Sequence, residues 1–108
     1  MKFIEGGVCA AKGFKASGVH CGIRKQTTKK DLALIVSEVE ASAAAVYTQN
    51  LVKGAPIAVT KDNIKDGKAM AIICNSGNAN TCNANGIEIA QEMCALTEKY
   101  TGISSDDV

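Results

Sequence analysis

The stretch "KAMAIICNSGNANTCNANGIEIAQEM", residues 68–93, decides the fold of this chain. Its first part, Lys68–Asn75, is an apolar run of the length and kind typical of a buried strand. A polar loop follows, which together with Asn75 contains five asparagines and two glycines, and the stretch then continues with apolar residues at helical spacing. A strand, a polar loop and a helix in this order predict an α/β domain.

The helix predicted after the loop has recognisable ends. Asn85 is suited to the N-cap, and Glu88 three residues later has the spacing of a capping box. Gly102 is suited to end the helix in the left-handed conformation. Four large apolar residues fall on one stripe that we expect to face the core: Ile89, Met93, Leu96 and Tyr100.

Upstream of this unit, two segments have the pattern of strands. Residues Gly18–Lys25 alternate between apolar and other side chains, which predicts a strand with one buried face. Residues Asp31–Glu38 form a nearly continuous apolar run, and the polar link between the two segments predicts a hairpin. The glycine-rich segment Gly6–Gly18 is expected to be an irregular extended loop. Ser42–Asn50 is a candidate third strand.

The segment before Lys68 is ambiguous. Pro56 is suited to the first position of a short helix that stops before Gly67, while a strand over Pro56–Thr60 is the competing interpretation. At the other end of the chain, Val108 has the character of the first residue of a further strand.

Size and composition exclude several classes of protein. The 108 residues suit one domain, the net charge is +1, and there is no tryptophan. The basic cluster Arg24–Asp31 is short and lacks aromatic residues, so it is interpreted as a solvated hairpin tip and not as a nucleic-acid site. The longest apolar run is far too short to cross a membrane, and the first residues do not form a signal peptide.

The five cysteines are odd in number, and none forms the paired motif of a zinc or redox site. Mostly buried free thiols in a reducing compartment, the cytoplasm, are therefore expected.

The asparagine loop is the best candidate site, through Asn75, Gly77, Asn78 and Asn80. Asparagine amides offer donors and acceptors, and backbone amides at a helix start favour a carboxylate or an oxyanion. The loop lacks the lysine of a phosphate loop and the spaced glycines of a dinucleotide site. The alternative is that these asparagines bond to their own backbone in turns.

The residues contain no convincing nucleophile with a base and an orienting group. His20 and Cys21 are adjacent, and neighbours on a strand point to opposite faces. Asp106 and Asp107 are better explained by a turn. Without further information the chain is interpreted as an α/β domain without a complete active site, with no predicted metal and no resident cofactor.

Three stretches resemble the N-terminal part of the ornithine acetyltransferase family, the bifunctional glutamate N-acetyltransferases of arginine biosynthesis. They are "GGVCAAKGFKASGVHCGIRK", "KDLALIVSEVEASAAAVYTQNLVKGAPIAV" and "AIICNSGNAN". The motifs "KGFKASGVHCGIRK" and "NSGNAN", in this order and spacing, are the specific part. The resemblance runs from about Gly6 to the last residue.

The resemblance implies a layered sandwich of sheets and helices, shared with a self-processing aminopeptidase group and incomplete here, with residues 1–108 as a single partial domain. It implies a self-cleaving precursor in which a threonine outside this chain becomes the nucleophile. Acetyl would pass from N-acetylornithine, and in some members from acetyl-coenzyme A, to glutamate. The implied partners are the remainder of the alpha chain and the threonine-bearing beta chain, as a hetero-oligomer of cleaved chains.

No catalytic residue of the family transfers to a position in this chain. Thr101–Gly102 closes a helix and does not correspond to the family's Thr–Gly oxyanion element. The asparagine loop becomes a candidate wall of the substrate pocket. Two alternatives remain, a stand-alone module that binds a small carboxylate through this loop, and a subunit whose role is only interaction.

Overall fold

The computed structural model describes residues 1–26 and 28–108; Thr27, within the basic cluster, lies outside the described residues. Five main elements follow one another: β1 (Phe14–Val19), β2 (Leu32–Ser42), α1 (Pro56–Asn63), β3 (Lys68–Asn75) and α2 (Gly86–Thr101). Two short 3-10 turns lie near the ends of the chain, at Gly7–Ala10 and Ser105–Asp107.

The three strands form an antiparallel sheet in the order β1-β2-β3, with β2 in the centre. Ile35 on β2 lies opposite Ala16 on β1 and Ile72 on β3, so these three side chains share one face of the sheet. The register of β2 and β3 shifts between Val36 and Ala41. The predicted hairpin of two antiparallel strands is confirmed.

The helices lie on the other face of the sheet beside β3, and small side chains make the contact between the helices. The buried core consists of Val59 of α1 with Ala90 and Cys94 of α2, and Val108 packs against them. Ala71 of β3, only 4% exposed, faces the same side. Because these side chains are small, the two helices can approach each other closely.

The buried face of α2 differs from the predicted stripe. The helix buries four small residues, Gly86, Ala90, Cys94 and Thr97. Three of the four large residues of the predicted stripe, Ile89, Leu96 and Tyr100, are exposed, Tyr100 to 78%, and only Met93 is half-buried. The stripe prediction is therefore wrong for this chain, because the close approach of α1 selects the face with the least bulk.

The position of the first strand was also predicted wrongly. β1 spans Phe14–Val19 and lies mostly within Gly6–Gly18, the segment expected to be a loop, whereas residues 20–25 of the predicted strand form an irregular turn. The turn arises because the carboxylate of Asp31 accepts the backbone N–H groups of Cys21 and Arg24. Residues 43–50 form no strand, so that prediction is wrong as well.

Elements with local signals match their predictions. β3 has the predicted bounds, α1 begins at Pro56 as a helix, and α2 ends at Gly102 with φ 78°. Asn85 occupies the N-cap position, but its side chain makes no capping hydrogen bond, so the capping box is absent. A 3-10 turn, and not a strand, leads into Val108.

Candidate active-site loop

The asparagine loop connects β3 to α2 and is fixed to the rest of the molecule at both ends. At its first end, the Ser76 N–H donates to the backbone oxygen of Asp31 over 2.8 Å. At its far end, the Ala55 N–H donates to the backbone oxygen of Asn80 over 2.9 Å, and Gly54 and Thr81 form an isolated β-bridge. The loop thus joins the hairpin connection on one side to the start of α1 on the other.

Asn75 and Asn80 form a pair of side-chain amides across the loop. Asn80 Nδ2 donates to Asn75 Oδ1 over 2.6 Å, and Asn75 Nδ2 lies 3.4 Å from Asn80 Oδ1 in the reverse direction. Asn80 has φ 54°, a left-handed conformation that asparagine tolerates better than most residues. Each amide keeps further donor or acceptor capacity for another group.

Asn78 and Gly77 shape the loop. Asn78 Oδ1 accepts the Asn80 N–H over 3.0 Å, which is the local turn bond that the sequence allowed as an alternative. Gly77 has φ 96°, and a Cβ there would lie 2.8 Å from Arg24 Cγ. Both the conformation and the space therefore require glycine at this position.

A cavity of about 380 Å³ lies between β3 and the helices, and the amide pair lies on its wall. Asn75 and Asn80 line it, while Gly77 and Asn78 do not. Most of the remaining wall is apolar and contributed by small side chains, among them Ala43, Ala69, Ala71, Ala90 and Met93. The cavity therefore has one hydrogen-bonding pole and an apolar interior.

The electrostatics of this cavity are mild, because none of the described residues that line it has a charged side chain. Pro56, the first residue of α1, borders the cavity close to the loop. The start of a helix carries partial positive charge, which favours the oxygen atoms of a ligand at this end. The arrangement suits a small group with an uncharged carbonyl more than a strongly charged one.

The other candidates from the sequence lie apart from this cavity. His20 Nδ1 lies 3.0 Å from Asp31 Oδ2 at the hairpin connection. All five cysteines are free thiols, and four of them are exposed, so the prediction of mostly buried thiols holds only for Cys94. Asp106 and Asp107 lie in the 3-10 turn, as the turn interpretation predicted.

Within residues 1–26 and 28–108, no three His, Cys, Asp or Glu side chains converge to hold a metal ion. Over the same residues, no helix is both long and apolar enough to cross a membrane.

Sequence reasoning missed the role of Asp31, which was counted as part of a solvated tip. Its side chain has no exposed surface, and its carboxylate accepts the backbone N–H groups of Cys21 over 2.7 Å and Arg24 over 2.9 Å. The donation from Arg24, then that from Cys21, holds the pKa of this carboxyl well below its ordinary value. The signal in the sequence that could have revealed this role is a single acid, Asp31, directly before the apolar run of β2.

Together the sheet, the helices on one face and the loop between β3 and α2 define a segment of a layered α/β fold, with a polar loop at the mouth of a small cavity. The model of the ArgJ family matches residues 15–108, which is most of the chain. The chain therefore belongs to the ArgJ family, and the resemblance found in the sequence is confirmed.

Individual relatives agree. The chain is 46% identical to the arginine biosynthesis bifunctional protein ArgJ of Caldanaerobacter subterraneus subsp. tengcongensis and 48% identical to that of Gloeobacter violaceus. These matches cover 100% and 99% of this chain and 27% of each relative. The chain thus spans about a quarter of the length of the curated relatives it matches, at their N-terminal end.

Solved structures show the same fold. The crystal structure of the arginine biosynthesis bifunctional protein ArgJ from Bacillus halodurans matches with a TM-score of 0.89 and 45% identity, over 95% of this chain and 54% of that one. The ornithine acetyltransferase from Mycobacterium tuberculosis, complexed with ornithine, matches with a TM-score of 0.80 and 35% identity, over 94% and 55%. The fold class expected from the resemblance is confirmed.

Proposed function

We propose that this chain is the N-terminal part of a self-cleaving acetyltransferase that moves acetyl from N-acetylornithine to glutamate. The observation that carries the proposal is family membership over residues 15–108, together with a TM-score of 0.89 to a solved ArgJ protein. The nucleophilic threonine lies outside this chain, and no residue of the chain is assigned to the chemistry. Acetyl-coenzyme A is a second acetyl donor to test.

Cleavage of a precursor has support in the lengths of the relatives. The chain covers 54% of the solved Bacillus halodurans chain but 27% of curated proteins with the same name. That solved chain is therefore about half as long as those relatives, which is the length expected of one product of a cut near the middle. The partners in this proposal are the remainder of the alpha chain and the beta chain, and the site of action is the cytoplasm.

In this proposal the asparagine loop forms a wall of the substrate pocket. Asn75 and Asn80 present the polar pole of the cavity, and Asn78 and Gly77 hold the loop in shape. Because the cavity has no charged lining, it suits the uncharged acetyl amide of the donor. The charged groups of the amino acid would then be bound by the parts of the protein outside this chain.

The direct test is an acetyl-transfer assay from N-acetylornithine to glutamate. It is made on this chain alone and on the extended protein, meaning the chain continued through the region that follows the matched segment in its relatives. We expect transfer by the extended, cleaved protein and none by the chain alone. Inactivity of the cleaved assembly towards both substrates would refute the proposed function.

The role of the loop is tested by Asn80→Gly, which removes the amide and still permits the positive φ. We expect the KM for N-acetylornithine to rise about fivefold, because one hydrogen bond contributes about 1 kcal/mol. Asn78→Ala should also weaken substrate use. Asn83→Gly is the matched control, since this exposed asparagine lies outside the cavity wall. Wild-type kinetics in Asn80→Gly and Asn78→Ala would reduce the loop to a turn.

A second function, a stand-alone module for a small carboxylate, is favoured by one observation: the cavity and its amide pair are formed within this chain. Calorimetry of the chain with glutamate, ornithine and their N-acetyl forms separates the two. Clear binding by the chain alone would favour the module, and the uncharged lining leads us to expect none.

A further inference from the structure

The connection between β1 and β2 is built around one buried acid. Asp31 is 2% exposed, and its two carboxylate oxygens accept the backbone N–H groups of Cys21 and Arg24. These bonds close residues 21–24 into a turn and fix where the Arg24 side chain leaves the backbone. The turn that begins at Cys21 thus depends on the side chain of Asp31, ten residues further along the chain.

This turn contacts the asparagine loop directly. Arg24, the one arginine of the chain, donates from Nε to Ser76 Oγ over 3.0 Å. The same Ser76 donates its backbone N–H to the backbone oxygen of Asp31 over 2.8 Å. At the next residue, Gly77 packs against Arg24 Cγ and Ile23 so closely that no Cβ fits. We call the set of Arg24, Asp31 and Ser76 the clasp.

The clasp determines the position of the amide pair. Ser76 follows Asn75 directly, so the clasp limits the movement of that asparagine. The opposite end of the loop is fixed by the bond from the Ala55 N–H to the Asn80 oxygen. The amide pair spans the two ends, and its 2.6 Å bond requires both ends to keep their places.

We propose that Arg24 and Asp31 are positioning residues for substrate binding, which hold the asparagine loop so that Asn75 and Asn80 face the cavity. This inference rests on the proposed function for its kinetic readout. Neither residue touches the cavity, so their effect passes through Ser76. A pure stability role would change the melting temperature, whereas a positioning role changes the KM.

Two substitutions of Arg24 separate hydrogen bonding from charge. Arg24→Gln places an amide nitrogen where the arginine has Nε, so the bond to Ser76 can persist while the charge is lost. Arg24→Met keeps an apolar stem of similar length and removes the donor. Ser76→Ala removes the acceptor from the other side. Ser104→Ala is the matched serine control, because this exposed residue makes no side-chain capping bond.

In the extended protein we expect Ser76→Ala and Arg24→Met each to raise the KM for N-acetylornithine about fivefold, the effect of one hydrogen bond, with kcat within about twofold. The double variant should be no worse than either single one, because both remove the same bond. Arg24→Gln and Ser104→Ala should keep the wild-type KM.

Several results would overturn the inference. One is a wild-type KM in both Ser76→Ala and Arg24→Met. Another is a double variant in which the two increases in KM add up. A third is a loss of stability or folding in Ser76→Ala without the change in KM. Hydrogen exchange over residues 76–80 supplies a readout that needs no activity. Exchange should be faster in Arg24→Met and unchanged in Arg24→Gln, and equal protection in all variants would refute the clasp even if acetyl transfer were not the reaction.

Discussion

The starts of the two helices lie close together at Gly86, the buried first residue of α2. A Cβ built at this position would lie 2.7 Å from the Cβ of Ala55, which precedes α1. Carbon atoms prefer separations of about 3.5–4.0 Å, so Gly86→Ala creates an overlap of about 1 Å. Neither Cβ can rotate away, and the helices must therefore move apart.

The expected destabilisation follows from opposing terms. Overpacking of this kind costs about 1–3 kcal/mol. The replacement of glycine by alanine also restricts the unfolded chain and returns about 0.4–1 kcal/mol. The middles of these two ranges, about 2 and about 0.7 kcal/mol, give an expected net loss of about 1.3 kcal/mol for Gly86→Ala. In the larger extended protein this corresponds to a fall in Tm of a few degrees at most.

The assay is thermal unfolding of the extended protein, monitored by circular dichroism. A second substitution that relieves the overlap serves as the control. Ala55→Gly removes the opposing methyl group, so the double variant Ala55→Gly/Gly86→Ala should recover most of the Tm that Gly86→Ala loses. A neutral or stabilising Gly86→Ala would show that the helices are not in close contact. A double variant that melts no higher than Gly86→Ala would place the strain elsewhere.

Three further results are expected. The lowered pKa of Asp31 means that its charged form stabilises the fold above the ordinary value of 3.8, and that this contribution is lost as the pH falls through the lower folded value. As the pH is lowered from 7 to 2, the Tm should therefore fall less steeply in Asp31→Asn than in wild type. Parallel curves of Tm against pH would contradict this. The side-chain amide of Asn63 donates hydrogen bonds to the backbone oxygens of Ser105 and Val108. Asn63→Asp should therefore lower the free energy of unfolding, measured by urea titration at pH 7, by about 1–3 kcal/mol. Asn63→Gln keeps an amide and serves as the milder comparison in the same titration. Burial raises the pKa of the Cys94 thiol, so it should react with a thiol reagent well after the exposed Cys82, and equal rates would show that Cys94 is accessible.

The parts of the fold predicted from the sequence are those with local causes. β3 is an uninterrupted apolar run, Pro56 is well suited to the first turn of a helix, and Gly102 permits the left-handed end of α2. In each case the residues that decide the structure lie inside the element or next to it. The bounds could therefore be predicted without knowledge of the packing.

The errors arose where a distant residue decides the structure. Residues 18–25 alternate like a strand, but Asp31 accepts their backbone N–H groups and turns the chain after Val19. The amide pair of the candidate site was likewise hidden, since it depends on the left-handed φ of Asn80 and on a contact across the loop. Residue type suggested that these asparagines could bind a ligand, and only the geometry shows which two of them face the cavity.

The exposed apolar surface of the chain accords with a layered fold. Ile72 lies on the edge strand β3, on the sheet face away from the helices, and is 56% exposed, although its neighbours across the sheet, Ile35 and Ala16, are also apolar. Burying one such isoleucine contributes about 1.5–3 kcal/mol, so an uncovered face is unfavourable in water. In a sandwich the next layer covers it. The helices bury their small residues against one face, and the opposite face stays apolar for the adjoining layer.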